Sequence, residues 1–202
     1  QTLSGPINLG IGRILPPDYI QANYAYTYGR SYPPVSPDGS KLYLFTENTI
    51  SGQAELLVVD YDTASVINQI NLNRGSDLVN YSYDIGLSPD GNYIYYYDYD
   101  TSSSQYLIRK ADTTNYNSVD SYQLWSLFPS YAYYVSGELE ISPSGDWLYL
   151  SLVDDGGNQS YIQAIDTAGM DLVNSTGVGS TGSGYLTSLF YNPYSNQMDI
   201  LY

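Results

Sequence analysis

The chain has 202 residues, no cysteine and no histidine, and a net charge of −15 from 21 acidic and six basic side chains. Without cysteine and histidine it can form no disulfide, thiolate metal site, thiol nucleophile or serine–histidine triad. Because phosphate recognition needs lysine and arginine, and no apolar run reaches the length of a membrane-spanning helix, we expect neither a nucleic-acid partner nor membrane insertion.

The N-terminal segment, residues 1–21, contains three prolines and one predicted strand at residues 7–15. A Ser-Pro-Asp-Gly sequence follows at residues 36–39 and leads into an apolar strand at residues 41–45. Proline pre-sets φ at the second position of a tight turn, aspartate hydrogen-bonds the backbone, and glycine allows a positive φ. The segment therefore predicts a tight turn between two antiparallel strands.

This turn-and-strand unit recurs along the chain. Its copies are Ser-Pro-Asp-Gly at 88–91 before a strand at 93–97, Ser-Pro-Ser-Gly at 142–145 before 147–152, and a degraded Asn-Pro-Tyr-Ser at 192–195 before 198–202. The prolines of successive copies are 52, 54 and 50 residues apart. A fixed period of this length with four strands in each repeat predicts a β-propeller.

Each full repeat divides into four predicted strands, A to D, with the proline turn between A and B and an Asp-Thr turn between C and D. The apolar residues alternate with period two and show no helical period. We therefore predict one all-β domain of about four blades over residues 1–202. Its four-stranded antiparallel blades lie at about 22–76, 77–129 and 130–182, with a partial blade at 183–202.

The sequence Val-Ser-Pro-Asp-Gly-Ser-Lys-Leu-Tyr-Leu at 35–44 continues with Leu-Leu-Val-Val-Asp-Tyr-Asp-Thr-Ala at 56–64 and Val-Ile-Asn-Gln-Ile at 66–70. It resembles the YVTN-type repeat and the related PD40 (TolB-like) propeller repeats, over about residues 22–202. The resemblance implies blade architecture. Such propellers serve as surface-layer proteins, scaffolds, periplasmic binders and, less often, lactonase-like enzymes. The period here is longer than in that family, and the B–C loops absorb much of the excess.

The fourth blade has predicted strands A (184–191) and B (197–202) but not C and D. Three arrangements could complete it: the N-terminal strand at 7–15, the remainder of a longer propeller, or a strand from a neighbouring subunit. We rank them in that order. Because free edge strands pair readily with other chains, the third arrangement would make the protein a polymer.

Acidic residues of two B–C loops fall at one rim of the predicted propeller, and they are Asp98, Asp100, Asp154 and Asp155. Residues 98–102 alternate oxygen-bearing side chains as the start of a calcium loop does, although the following Asp-Gly and the distal glutamate are missing. A solvated acidic hairpin is the simpler interpretation. Bound Ca²⁺ is the alternative hypothesis, and we expect no other cofactor.

Three carboxylates belong to the predicted innermost strands. Asp84 and Glu138 share one repeat position, four residues before the turn serine, and Glu140 follows on the same strand. Paired carboxylates are what glycoside hydrolysis requires, but an acidic channel could equally hold water or a cation. We expect a protein that is not an enzyme, and these three residues are the catalytic candidates if it is one.

The surface composition favours an extracellular location, because Ser, Thr, Asn, Gly and 26 tyrosines take the place of lysine and glutamate. Three N-glycosylation sequons begin at Asn80, Asn158 and Asn174. About half of the tyrosines should form the cores between blades, and the rest suit contacts with proteins or sugars.

Together these features predict a secreted or cell-surface structural propeller that associates with itself, as an oligomer, filament or surface array. The alternative is a propeller that binds carbohydrate or processes glycans with its carboxylates.

Overall fold

The computed structural model describes residues 13–14, 34–47, 53–75, 85–103, 105–124, 133–134, 139–154, 159–177, 188–192 and 197–201. Within these ranges the chain forms fifteen strands. The first sheet contains β1 (Arg13–Ile14), β2 (Lys41–Glu47), β3 (Gln53–Asp60) and β4 (Ser65–Gly75); the second contains β5 (Ile85–Leu87), β6 (Tyr93–Asp100), β7 (Gln105–Asp112) and β8 (Ser118–Gln123). The third contains β9 (Tyr133–Tyr134), β10 (Leu139–Ile141), β11 (Trp147–Asp154), β12 (Gln159–Asp166) and β13 (Asp171–Gly177); the fourth contains β14 (Ser188–Asn192) and β15 (Gln197–Leu201).

The four sheets are the blades of a β-propeller. All their strands pair antiparallel, and in the two central sheets the order from β5 to β8 and from β10 to β13 follows the chain. The first strands of successive blades meet, since β10 contacts both β5 and β14. The predicted all-β propeller of about four blades is confirmed. No helix among the described residues is long and apolar enough to cross a membrane.

The N-terminal strand pairs with the first blade. Arg13 lies opposite Glu47 and Ile14 opposite Thr46, so β1 extends along the far end of β2, while Val35 forms a bridge with Leu42 at the near end. In the third blade, β9 and β10 divide the inner edge of β11 in the same way. The hypothesis that this strand completes the fourth blade is corrected for residues 13–14, because these residues hydrogen-bond to β2 of the first blade.

The Ser-Pro-Asp-Gly turns are held by their own side chains, as predicted. In the first turn Asp38 accepts hydrogen bonds from the Ser36 hydroxyl and from the Ser40 N–H, and Gly39 has a φ of 75°. The Ser36 Oγ then accepts the N–H of Lys41, where the strand begins. Asp90 and Gly91 repeat this arrangement in the second blade.

Consecutive turns also pack on one another. A Cβ added to Gly91 would lie 2.8 Å from Cδ of Pro37, and one added to Gly145 would lie 3.3 Å from Cδ of Pro89. Each proline therefore covers the glycine of the following blade. Gly39 has nothing within 4 Å of the corresponding point.

Both faces of the second blade pack against a neighbouring blade. Strand B of the second blade directs Ile94 and Tyr96 into the cluster shared with the first blade, and Tyr95 and Tyr97 into the cluster shared with the third. Tyr43 holds the same repeat position as Tyr95 and is also buried against the next blade. Burial raises the pKa of Tyr95 to about 12. Alternating side chains thus bury both faces of one strand.

Polar contacts also join the second blade to the third. The Lys110 Nζ donates to the carbonyl of Thr167 at 2.6 Å and lies 4.4 Å from the ring centroid of Tyr93. The Thr167 hydroxyl in turn donates to the carbonyl of Gly145 at 2.6 Å. These bonds tie the C–D turn of the third blade both to its own A–B turn and to the preceding blade.

A buried amide between the same two blades gives a stability prediction. Gln163 is fully buried, its Oε1 accepts the Tyr122 hydroxyl at 3.2 Å, and its Nε2 has no hydrogen-bond partner among the described residues. An unsatisfied buried donor costs about 1–3 kcal/mol, and replacing both partners by apolar groups removes that cost. We expect Q163M/Y122F to raise the free energy of unfolding by about 1 kcal/mol in urea titrations. Y122F alone should lower it, and a double variant less stable than Y122F would contradict the prediction.

Candidate functional site

The structure describes one of the three catalytic candidates. Glu140 is half-buried on β10, the innermost strand of the third blade, opposite Tyr149 of β11. Asp84 and Glu138 lie outside the described residues. The predicted meeting of these carboxylates near the propeller axis therefore stays a prediction.

Asp98 lies within strand β6 rather than in the B–C loop. Its side chain is 4% exposed, and its Oδ2 accepts a hydrogen bond from the Nε of Arg109 at 2.5 Å. This ion pair sits beside Tyr96, on the face of the second blade that packs against the first. Asp98 therefore forms an ion pair between two adjacent strands of its own blade, β6 and β7, a role that the sequence analysis did not assign to it.

Asp100 stabilises the loop that follows β6 through its side chain. Its carboxylate accepts hydrogen bonds from the N–H and the hydroxyl of Ser102 and from the hydroxyl of Ser103. These bonds, led by that of the Ser102 hydroxyl, lower the pKa of Asp100 to about 2.

The remaining loop candidates are only partly described. The backbone of Asp154 ends β11, and Asp155 lies outside the described residues. No group of three or more acidic side chains that could hold a metal ion occurs in the described part of the chain. The calcium hypothesis stays a prediction that calorimetry on calcium addition would test.

The turn aspartates make a pH prediction. Hydrogen bonds, first of all from the Ser36 hydroxyl, lower the pKa of Asp38 to about 2, and those from Ser88 and Asn92 lower that of Asp90. A lowered pKa in the folded state means that the stabilisation is complete above the unfolded value, about 3.9, and is lost as the pH falls through the folded value. We expect urea midpoints to fall between about pH 4 and pH 2, and to fall less in D38N/D90N. An equal fall in the variant would contradict this assignment.

Asn174 is the sequon residue that the structure describes. It is exposed on β13, the outer strand of the third blade, while Asn80 and Asn158 lie outside the described residues. Exposure makes its amide accessible to a modifying enzyme, and glycosylation at any of the three stays a prediction.

The outer strands carry a repeated feature that the sequence analysis missed. The register of each shifts by one residue, which leaves Ile67, Val119 and Val173 as the bulged residues of β4, β8 and β13. These three side chains are 50%, 54% and 55% exposed. All three stand 30 residues after the turn proline of their blade, so an alignment of the repeats would have revealed the pattern. A bulge interrupts the ladder at the bulged residue itself and increases the local twist of the strand.

The fold and these surfaces define the class as a β-propeller of about four blades. Among solved structures, hydrazine synthase of Kuenenia stuttgartiensis is similar at 18% identity and a TM-score of 0.53, over 83% of this chain and 56% of that chain. The Dos1 propeller matches at 15% identity and a TM-score of 0.52, over 79% of this chain and 36% of that one. The dihydro-heme d1 dehydrogenase NirN matches at 17% identity and a TM-score of 0.51, over 85% of this chain and 32% of that one.

These similarities show the propeller fold alone, because the identities are low and the chain spans from about a third to just over half of the proteins it matches. No protein-family model matches the chain, and no curated protein matches it. The comparisons thus support the propeller and leave the narrower YVTN or PD40 assignment without support from a family model.

Proposed function

We propose that the chain is a propeller of the YVTN or PD40 (TolB-like) type that serves as a structural or interaction module outside the cell and associates with copies of itself. The observation that carries this proposal is the exposed aliphatic side chain repeated on three outer strands, at Ile67, Val119 and Val173. A single exposed aliphatic residue needs no explanation, but three at one repeat position put an exposed aliphatic side chain on the outer strand of each of three blades.

Charge favours the same surface. At a net charge of −15, two copies of the chain repel one another wherever their carboxylates meet. The outer strands carry few charges: Arg74 in β4, Asp120 in β8 and Asp171 in β13. A contact through these strands therefore brings copies together with little like-charge repulsion.

Light scattering and negative-stain microscopy of the purified protein test self-association. We expect oligomers or regular assemblies for the native sequence, and a shift towards the 22.4 kDa monomer for I67T/V119T/V173T. Threonine keeps the β-branched shape while adding a hydroxyl, so the blades should stay folded. Q69A/N71A, which alters exposed polar side chains of β4, is the matched control. A native protein that stays monomeric at every concentration would overturn the proposal.

The extracellular location rests on composition, namely Ser, Thr, Asn, Gly and Tyr in place of lysine and glutamate. Antibody labelling of intact cells tests it. Labelling that needs permeabilised cells would place the protein inside and overturn this part of the proposal.

Glycan binding or processing is the second candidate, and the half-buried position of Glu140 on an innermost strand favours it. If Glu140 acts with Asp84 or Glu138, then E140Q should abolish hydrolysis of any glycan that the native protein hydrolyses, and it should leave the fold unchanged. A broad glycan panel with neither binding nor hydrolysis would remove this candidate.

A further inference from the structure

Two of the three outer strands block their own edges with a side chain. In β4 the N–H of Gln69 donates to Oδ1 of Asn68 at 2.9 Å, and in β8 the N–H of Ser121 donates to Oδ1 of Asp120 at 2.8 Å. Both pairs follow directly on the bulged residue of their strand. A backbone N–H that is already bonded to a side chain is not available to a strand from another molecule.

The outer strand of the third blade lacks this block. Asn174 and Ser175 hold the same repeat positions, 31 and 32 residues after the turn proline, and Ser175 lies opposite Gln163 just as Ser121 lies opposite Arg109. Within the described structure no side-chain hydrogen bond joins Asn174 to Ser175. The five residues 173–177 are all exposed, so no described part of the chain covers this edge.

The same strand also lacks a buried side chain that the other two outer strands have. One position further along, Ile70 of β4 packs against the core between the first and second blades, and Tyr122 of β8 is buried in the core between the second and third. The equivalent residue of β13 is Thr176, which is exposed. The far half of β13 therefore carries neither the side-chain block nor the apolar anchor of the other outer strands.

We propose that two copies of the chain pair through β13, antiparallel about a two-fold axis that sets Ser175 opposite its own counterpart. This inference rests on the self-association proposed above and names its surface. Residues 172–177 contain no charged side chain, so identical strands align there without like charges, whereas β8 would bring two copies of Asp120 together. Each Ser175 N–H then bonds the carbonyl of the other, which is the hydrogen-bonded pair of an antiparallel ladder.

Single cysteines test the pairing cleanly because the chain has none of its own. The variants S175C, S121C and Q69C place one thiol at the same repeat position of the third, second and first blades. Opposed residues of an antiparallel pair have Cα atoms about 4.5–5.5 Å apart, within the range that a disulfide spans. Under mild oxidation, in protein made by a host without N-glycosylation, we expect S175C to give a covalent dimer and the two controls to stay unlinked.

A second variant works without a cross-link. N174D sets negative charges near one another across the pair, so we expect the dissociation constant of the dimer to rise by roughly tenfold or more. If the native protein associates but S175C links no faster than S121C and Q69C, the β13 pairing is wrong and self-association stands. If the native protein never associates, both proposals fall together.

Discussion

Replacing Gly91 by alanine is expected to lower the free energy of unfolding by about 2–5 kcal/mol. About 1–2 kcal/mol comes from placing a side chain at a φ of 75°, where L-residues are strained. The rest, about 1–3 kcal/mol, comes from overpacking, because the new Cβ would lie 2.8 Å from Cδ of Pro37. Neither the turn nor the proline ring can yield without disturbing the contact between two blades.

The chain provides matched controls for this effect. Gly39 has the same φ of 75° and nothing within 4 Å, so G39A should cost only the backbone strain, about 1–2 kcal/mol. Gly145, with its added Cβ 3.3 Å from Cδ of Pro89, should fall between the two. Urea or thermal unfolding of the three variants measures the series. Equal losses for G39A and G91A would show that the proline contact contributes nothing.

The turns themselves were predictable because their chemistry is local. Ser36, Asp38 and Gly39 form the turn through bonds that span at most five residues, and the same letters at 88–91 predict the same turn. The packing of one turn on the next was not predictable, since it joins Pro37 to Gly91 across a whole repeat. Repetition in sequence reveals the unit but not the contacts between units.

The predicted role of Asp98 depended on where strand β6 ends. The sequence predicted a strand at residues 93–97, which left Asp98 at the start of an acidic loop, whereas β6 continues to Asp100. Both faces of this strand are buried between blades, so the usual alternation of apolar and polar residues cannot mark its end. The partner, Arg109, lies eleven residues away on the next strand, and no local pattern indicates the pairing.

On the outer strands, the sequence contains a repeated aliphatic position whose exposure only the structure explains. Ile67, Val119 and Val173 recur at one repeat position and would ordinarily be assigned to a core. The bulge turns each of them outward, because the extra residue in the outer strand interrupts the alternation of faces. Exposure of an aliphatic residue in a strand is therefore a property of register, which residue type alone does not determine.

Removing Asp98 is expected to destabilise the chain by about 2–4 kcal/mol. The substitution D98A leaves the Arg109 guanidinium without its ion-pair partner at the interface of the first two blades. Breaking a fully buried pair costs about 3–5 kcal/mol, and the loss here is smaller because the Arg109 side chain is 24% exposed and reaches water. R109A removes the same ion pair and should destabilise the chain by a similar amount.

The double variant D98L/R109M distinguishes the contribution of the ion pair to stability from that of side-chain packing. Replacing both charges by apolar side chains of similar size removes two desolvated groups together, so we expect it to recover most of the stability that either single loss removes. Urea unfolding of the native protein, D98L, R109M and D98L/R109M completes the cycle, because each single variant carries one substitution of the double variant. These proteins and D98A also decide between the two roles of Asp98. An ion pair between β6 and β7 predicts a coupling energy and no change in calcium binding, whereas a loop ligand predicts that D98A abolishes the heat of calcium addition and leaves stability unchanged.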